Sequence, residues 1–198
     1  PDHCETVQHA ATALNDDDND NQNGSMITLD DLRVICPHTR TGRIAVFVDP
    51  LNDAMKEFEI DNVARETHFL AQIAHESGGF NYVREFASGE AYEGRANLGN
   101  TEDGDGPRFR GRGLIQITGR ANYRACGDAL GVDLISQPEL LESPNLAARS
   151  AGWFWKAHGL NELADKDDAK LITKRINGGL NGYQERVAYL ERAKEQLA

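Results

Sequence analysis

The residue of this 198-residue chain best placed to do chemistry is a carboxylic acid, Glu76, at the end of an apolar helical stripe. Within Glu66-Thr67-His68-Phe69-Leu70-Ala71-Gln72-Ile73-Ala74-His75-Glu76-Ser77-Gly78-Gly79, the residues Phe69, Ile73 and Glu76 recur at i, i+4 and i+7. The helical face that buries Phe69 and Ile73 thus also holds the Glu76 carboxyl near the core. Partly apolar surroundings disfavour the ionised form and keep a proton available near neutral pH, as a general acid requires. The alternative is a helix-terminal glutamate that only faces water. Gly78 and Gly79 end the helix and leave backbone room beside the carboxyl for a bulky substrate. His75-Glu76 also invites a zinc-helix reading, His-Glu-x-x-His, but position 79 is glycine and the second ligand is missing.

A second carboxylate should lie in the irregular stretch that follows. Between Phe80 and Arg110 helical periodicity breaks down, and glycines interleave with Glu85, Glu90, Glu93, Glu102, Asp103 and Asp105. Irregular segments of this length in a compact domain are often functional. Glu85 stands nine residues past Glu76, across a turn that the two glycines permit, so the two carboxyls can face each other over a cleft. Glu93 is the competing second acid. Asp103-Gly104-Asp105-Gly106 reads as a turn in preference to a metal loop.

A further dense stretch runs from Arg110 to Tyr123. Ile115 and Ile117 alternate inward and leave Gln116 and Thr118 on the opposite side, where they can hold a water or a sugar hydroxyl. A nucleotide fingerprint would need glycine where Gln116 stands. Near the C-terminus, Asn177-Gly178-Gly179-Leu180-Asn181-Gly182 breaks a helix pair and puts the Asn177 amide at a cleft edge, with Arg186 within reach of a carboxylate. The plainer alternative is a long helix cap followed by a surface arginine.

The elements that must position these residues read as helices. Thr28 before Asp30 and Asp31 starts one with Leu29, Leu32 and Ile35 as its apolar face and Pro37 beyond its end. Leu51, Ala54, Met55 and Phe58 give a second, and Asn62 caps the helix that ends in Glu76. Pro138 to Leu141 and Ala147 to His158 follow, the latter carrying Trp153 and Trp155, for which core packing is favoured over sugar stacking. With no sustained alternation typical of strands, the fold class is mainly α.

Composition bounds the rest. The length suits one sizeable core. A net charge of −11 argues against nucleic acid as a partner. No apolar run approaches ~18 residues and no secretory leader is legible, so neither membrane insertion nor self-directed export is expected. The three cysteines, Cys4, Cys36 and Cys126, form no C-x-x-C pair and read as reduced thiols. No metal and no cofactor are expected, and the histidines show no zinc-ligand spacing. Residues 1–25 read as an acidic tail or linker with a Gly24-Ser25-Met26 junction, and residues 26–198 as the catalytic domain. A calcium loop over Asp20 to Asp31 is the sharper reading of that junction, against which stand Ser25 at its central glycine position and Asp31 at its final glutamate.

Three stretches, Phe69 to Phe80, Arg110 to Tyr123, and Ile176-Asn177-Gly178-Gly179 with Arg186, resemble the family 19 glycoside hydrolases, the plant-type chitinases and the short phage or prophage endolysins. The resemblance, strongest to the endolysins, runs from about Met26 to the C-terminus and implies a lysozyme-like, two-lobed helical domain with a central active-site cleft. It casts Glu76 as general acid, Glu85 as the base that activates water with Glu93 as alternative, and Thr118 in the place of a serine that holds that water. Gln116 and Asn177 match sugar-binding positions, and Arg186 matches an arginine that pairs with the catalytic carboxylates. His75 and Tyr123, inside the same motifs, are further substrate-binding candidates. Chitinases often carry glutamate where this chain has Asn181, and their disulfides and long aromatic loops have no counterpart here, which weakens chitin as substrate. The resemblance thus implies a monomeric enzyme acting on peptidoglycan glycan strands, made in a host bacterial cytoplasm and released to the cell wall.

Overall fold

The computed structural model describes residues 26–198. The acidic segment, Cys4 and the start of the calcium-loop stretch lie outside the described residues. Among the described residues ten α-helices follow one another: α1 (Leu29–Ile35), α2 (Thr41–Ala45), α3 (Val48–Glu57), α4 (Val63–Glu76), α5 (Asp105–Arg108), α6 (Arg120–Leu130), α7 (Pro144–Ala157), α8 (Leu160–Ala164), α9 (Ala169–Asn177) and α10 (Tyr183–Leu197). Short 3-10 turns occur at Glu90–Tyr92, Ala96–Leu98 and Pro138–Glu142. Among the described residues β pairing is confined to two isolated antiparallel bridges, Arg84 with Arg112 and Arg112 with Ile117. The chain is therefore mainly α, as the periodicities predict.

Local sequence sets the helix starts. Thr28 and Asp31 form a reciprocal capping box: the Thr28 hydroxyl accepts from the Asp31 N–H, and the Asp31 carboxylate accepts from the Thr28 N–H at 2.7 Å. The other Asp31 oxygen accepts from Gln196 at 2.8 Å. The last place of the calcium-loop reading is thus committed to capping α1 and fastening α10. Asn62 caps α4 through its side-chain oxygen, which accepts from the Arg65 N–H at 2.9 Å.

α4 is the central helix, with every residue from Glu66 to Ala74 buried. It packs against α10 and α8; α10 in turn contacts α1 and α9, while α7 joins α3, α6 and α8. Phe69 meets Trp155 edge-on at 5.4 Å between ring centroids, and full burial of such side chains stabilises the fold by about 1.5–3 kcal/mol each. Trp155 is fully buried and donates its indole N–H to Asn161 at 2.9 Å. Trp153 packs partly buried against the same core. Cys36 and Cys126 are free, and burial pushes both thiols up to about 12, so they pack as small apolar groups.

α5 packs on the turn at 90–92 and α6 on the turn at 96–98. Their anchor is Asp105, buried and paired with Arg120 at 2.6 Å, while its carboxylate also accepts from the N–H groups of Thr101 and Glu102. Asp103-Gly104-Asp105-Gly106 is therefore a turn entering α5, and no cluster of metal-ligating side chains occurs among the described residues.

Candidate active site

The site has two halves. The first is built where α4 ends and α10 begins. Arg186, on the first turn of α10 and 3% exposed, donates through Nη2 to Glu76 Oε1 at 2.5 Å and through Nη1 to Gln72 Oε1 at 2.6 Å. Gln72 donates onward to the Thr173 hydroxyl at 3.2 Å, and Thr173 donates to the Ala169 carbonyl at 2.8 Å. Three helices are thereby tied to the direction of one carboxyl. The apolar surroundings expected for Glu76 are replaced on this side by a guanidinium, because an arginine this deeply buried needs a carboxylate to offset its desolvation. The Glu76 side chain remains 19% exposed.

His75 Nδ1 lies 2.8 Å from Glu185 Oε2 but off the angle of a hydrogen bond. Its ring packs on Gly182 so closely that any side chain at 182 would strike it. The glycine lets α10 begin against the end of α4, which is what brings Arg186 within reach of Glu76. The sequence marks His75 as a substrate contact; the structure puts it at this helix junction. Asn177, the last residue of α9, is exposed and makes no side-chain hydrogen bond among the described residues.

The second half is a small hairpin-like crossing. Arg112 and Ile117 exchange backbone hydrogen bonds at 3.1 and 2.8 Å, Gly113 N–H donates to Val83 at 2.9 Å, and Glu85 N–H donates to Gly111 at 3.0 Å. The pairing sets Glu85 beside the 111–118 segment. Gly111 N–H donates to Glu85 Oε1 at 3.0 Å, and the Tyr92 hydroxyl donates to Glu85 Oε2 at 2.9 Å. Burial, then the hydrogen bond to Glu85 and its charge, raise the Tyr92 phenol above its ordinary range, so it remains a donor. Gln116 and Thr118 converge on the same spot. A Cβ at Gly111 would lie 2.8 Å from Gln116 Oε1, 3.3 Å from Thr118 Oγ1 and 3.4 Å from Glu85 Cδ. Ile115 and Ile117 are buried, as alternation predicts, and leave Gln116 and Thr118 partly exposed. Gln116 occupies the left-handed region at φ 59°, an outlying conformation for a non-glycine residue.

Two candidates are corrected by their surroundings. Glu93 commits both oxygens to backbone: Oε1 accepts from Gly104 N–H and Oε2 from Gly106 N–H, each at 2.7 Å. It braces the turn before α5, and Glu85 alone of the two stands beside Gln116 and Thr118. Tyr123 is fully buried, accepts from Arg112 at 3.0 Å and donates to the Arg110 carbonyl at 2.5 Å. Burial pushes its phenol well above the usual range. It is a core strut under the 110–112 backbone, because its position on α6 turns its ring against Phe109 and leaves none of it exposed. A third carboxyl, Glu66, is pushed up to about 7, by burial first and by the charge of Asp61 second. It lies ten residues before Glu76 on α4, roughly 15 Å along the helix axis, and belongs to the interior.

Sequence reasoning missed the residues that hold the site: Gln72, Tyr92, Asn100 and Gly111. Asn100 is fully buried, donates to the Tyr92 carbonyl at 2.9 Å and accepts from Arg120 N–H at 2.8 Å, so the start of α6 steadies the segment whose hydroxyl meets Glu85. The one available signal was Gln72, a polar residue on an otherwise apolar helical stripe.

Comparison with known proteins gives the family and the fold. Residues 61–169 match the family described as chitinase class I. A glycosyl hydrolase family 19 domain-containing protein of Haemophilus influenzae is 36% identical over 156 residues, covering 63% of this chain and 76% of that protein. An endochitinase of Arabidopsis thaliana is 40% identical over 111 residues, covering 56% of this chain and 38% of the plant protein, so this chain spans well under half of that relative. Among solved structures, chitinase C from Streptomyces griseus superposes with a TM-score of 0.69 at 22% identity, covering 87% of this chain and 76% of that one. A bacterial family 19 chitinase gives 0.69 at 21% identity, covering 88% and 96%. At such identities the structural likeness speaks to the fold.

Proposed function

Because the chain belongs to glycoside hydrolase family 19, the class I chitinase family, we propose that it hydrolyses β-1,4 bonds between amino sugars with inversion, and that its polymer is bacterial peptidoglycan. The observation that supports the chemistry is that two carboxyls are held by different means: Glu76 on a buried guanidinium, and Glu85 beside Gln116 and Thr118. In this reading Glu76 protonates the leaving glycosidic oxygen. Glu85 removes a proton from a water on the opposite face of the ring, and Gln116 and Thr118 hold that water. Inversion needs a carboxyl separation of roughly 6.5–9.5 Å, enough for one water. Each proton transfer contributes about 10²–10⁴-fold.

Two features of the chain favour peptidoglycan over chitin. Asn181 stands where chitinases often have glutamate, and the long aromatic loops of the plant enzymes are missing. Such an enzyme would act as a monomer on the wall of the cell that made it, once released from the cytoplasm. The second reading, a chitinase, is favoured by the endochitinase relatives.

The test is release of reducing ends from purified sacculi and from colloidal chitin, with mass spectrometry of the fragments and NMR of the first anomer formed. Muropeptide fragments and an inverted anomer are expected, and Glu76→Gln should nearly abolish both activities while leaving the fold intact. Chitin cleavage with intact sacculi would replace the first reading by the second; binding without cleavage of either would leave only a glycan-binding relative.

A further inference from the structure

Beside Glu85 lies an open groove of about 260 Å³ whose lining includes Arg43, Tyr82, Arg84, Glu85, Phe86 and Arg110. Its character differs from the rest of the molecule. The chain carries a net charge of −11, yet this groove gathers three guanidiniums. Arg43 donates to the Asn81 carbonyl at 2.6 Å and pairs with no carboxylate among the described residues. Among the described residues Arg110 reaches only the Ala87 carbonyl, at 3.5 Å, and keeps a buried Nε with no partner. Arg84 stands 3.7 Å from Glu142, a carboxylate already held by Arg112 at 2.8 Å. Glu85 is occupied by Gly111 and Tyr92. Cationic capacity is left over, and an unpartnered buried guanidinium nitrogen is costly unless a ligand completes it.

The groove also has an aromatic wall. Tyr82 and Phe86 are 47% and 82% exposed and meet edge-to-face at 4.7 Å. The Tyr82 ring lies over Gly78, 2.9 Å from where a Cβ would stand, so the wall begins two residues past Glu76 and ends one residue past Glu85. Exposed aromatics with nothing packed over them suit a sugar face. A polyanion approaching this acidic molecule is repelled in general, but at physiological salt charges beyond about 8 Å are largely screened. The local field of the groove decides what binds in it.

Resting on the peptidoglycan reading above, we propose that this groove seats a carboxylate borne by the glycan, on the lactyl group or the stem peptide of a muramoyl sugar stacked on Tyr82 and Phe86, with Arg84 and Arg110, assisted by Arg43, setting the preference for an anionic over a neutral amino-sugar chain. Guanidinium suits this role because its paired N–H groups match a carboxylate in two hydrogen bonds.

The full chain titrated by NMR with N-acetylmuramic acid, N-acetylmuramoyl dipeptide and N-acetylglucosamine tests binding apart from turnover. The two anionic probes should shift Tyr82, Arg84 and Phe86 at about tenfold lower concentration than the neutral sugar, which stacks on the rings without engaging the arginines; the stronger of the two tells the lactyl carboxylate from the peptide one. Arg84→Gln and Arg110→Gln should each weaken the anionic probe about tenfold and lower the ratio of kcat/KM on sacculi to that on chitohexaose by a similar factor. Arg110→Lys replaces Arg110→Gln if the latter melts early. Equal binding of anionic and neutral sugars, or variants that bind the anionic probes as the parent does, overturns the inference. If the parent binds the anionic probes through these arginines but releases nothing from sacculi, the groove stands and the peptidoglycan reading falls. If it cleaves sacculi and the variants keep the parental ratio, the groove falls alone.

Discussion

Glu85 and Gly111 are bound to each other twice: Gly111 N–H donates to the Glu85 carboxylate at 3.0 Å, and Glu85 N–H donates to the Gly111 carbonyl at 3.0 Å. The proposed base is thus fixed in backbone and in side chain by one residue without a Cβ. That missing atom is where Gln116 and Thr118 approach.

Gly111→Ala should therefore spare the fold and damage the chemistry. The methyl group would meet Gln116 Oε1 at 2.8 Å, closer than real Cβ contacts, so the amide end of this flexible side chain must move aside. Misplacing catalytic groups can cost on the order of 10²-fold in rate. The check is kcat/KM beside a thermal melt, with a large fall in the first and little change in the second.

Glu93 and Glu85 should separate in the opposite sense. Glu93→Ala removes two charge-assisted hydrogen bonds to Gly104 and Gly106 and should cost about 1–2 kcal/mol, since the group is exposed and water takes up part of the loss. Turnover at a temperature well below the melt should survive, whereas Glu85→Gln should lose it with a near-normal urea midpoint. Reversal of this pattern would make Glu93 the second acid.

Arg186→Lys keeps the charge and loses the fork. A single ammonium cannot span Gln72 and Glu76 as the two guanidinium nitrogens do at 2.6 and 2.5 Å. We expect kcat to fall at least tenfold with a smaller change in KM, and Gln72→Leu to destabilise by about 1–3 kcal/mol because Arg186 and Thr173 each lose a partner. Equal kcat in Arg186→Lys would show that the fork does not position Glu76.

Stability should fall with rising pH over a defined window because of Glu66. Its folded pKa is about 7 against an ordinary 4.5. Below pH 4.5 the carboxyl is protonated folded or unfolded, and contributes no pH dependence. As pH rises from 4.5 to 7 the unfolded chain ionises first, and the penalty reaches about 2–4 kcal/mol above pH 7. Urea midpoints of the parent and Glu66→Gln between pH 4.5 and 8 should diverge across that interval and run parallel above it. Parallel curves throughout would exclude the effect.

Much of this molecule was legible before its coordinates, and the division follows interaction range. Periodicity found α4 and the stripe of Phe69 and Ile73, and cap chemistry found Thr28 and Asn62, because helices and caps are written within a few residues. Alternation placed Ile115 and Ile117 inside and Gln116 and Thr118 outside for the same reason. What stayed illegible depends on contacts across the chain. Spacing could not separate Glu85 from Glu93, since the path from 80 to 110 is set by glycine turns and by Asp105 gripping Arg120. Tyr123 looked like a ligand contact because its motif surrounds the site, while its own helical position turns it toward Phe109. The short helices α2, α5 and α8, of four or five residues, are held by packing more than by any pattern of their own.

The left-handed Gln116, at φ 59°, has a bearing on how this protein can be improved. A glycine would sit there more comfortably, by on the order of 1 kcal/mol, yet the position carries an amide that reaches the Gly111 corner. Two pressures therefore pull on one codon: heat tolerance favours emptying it, and turnover favours keeping it filled. A thermostabilisation campaign scored on melting temperature alone would be drawn to glycine at 116 and would return a sturdier, silent protein.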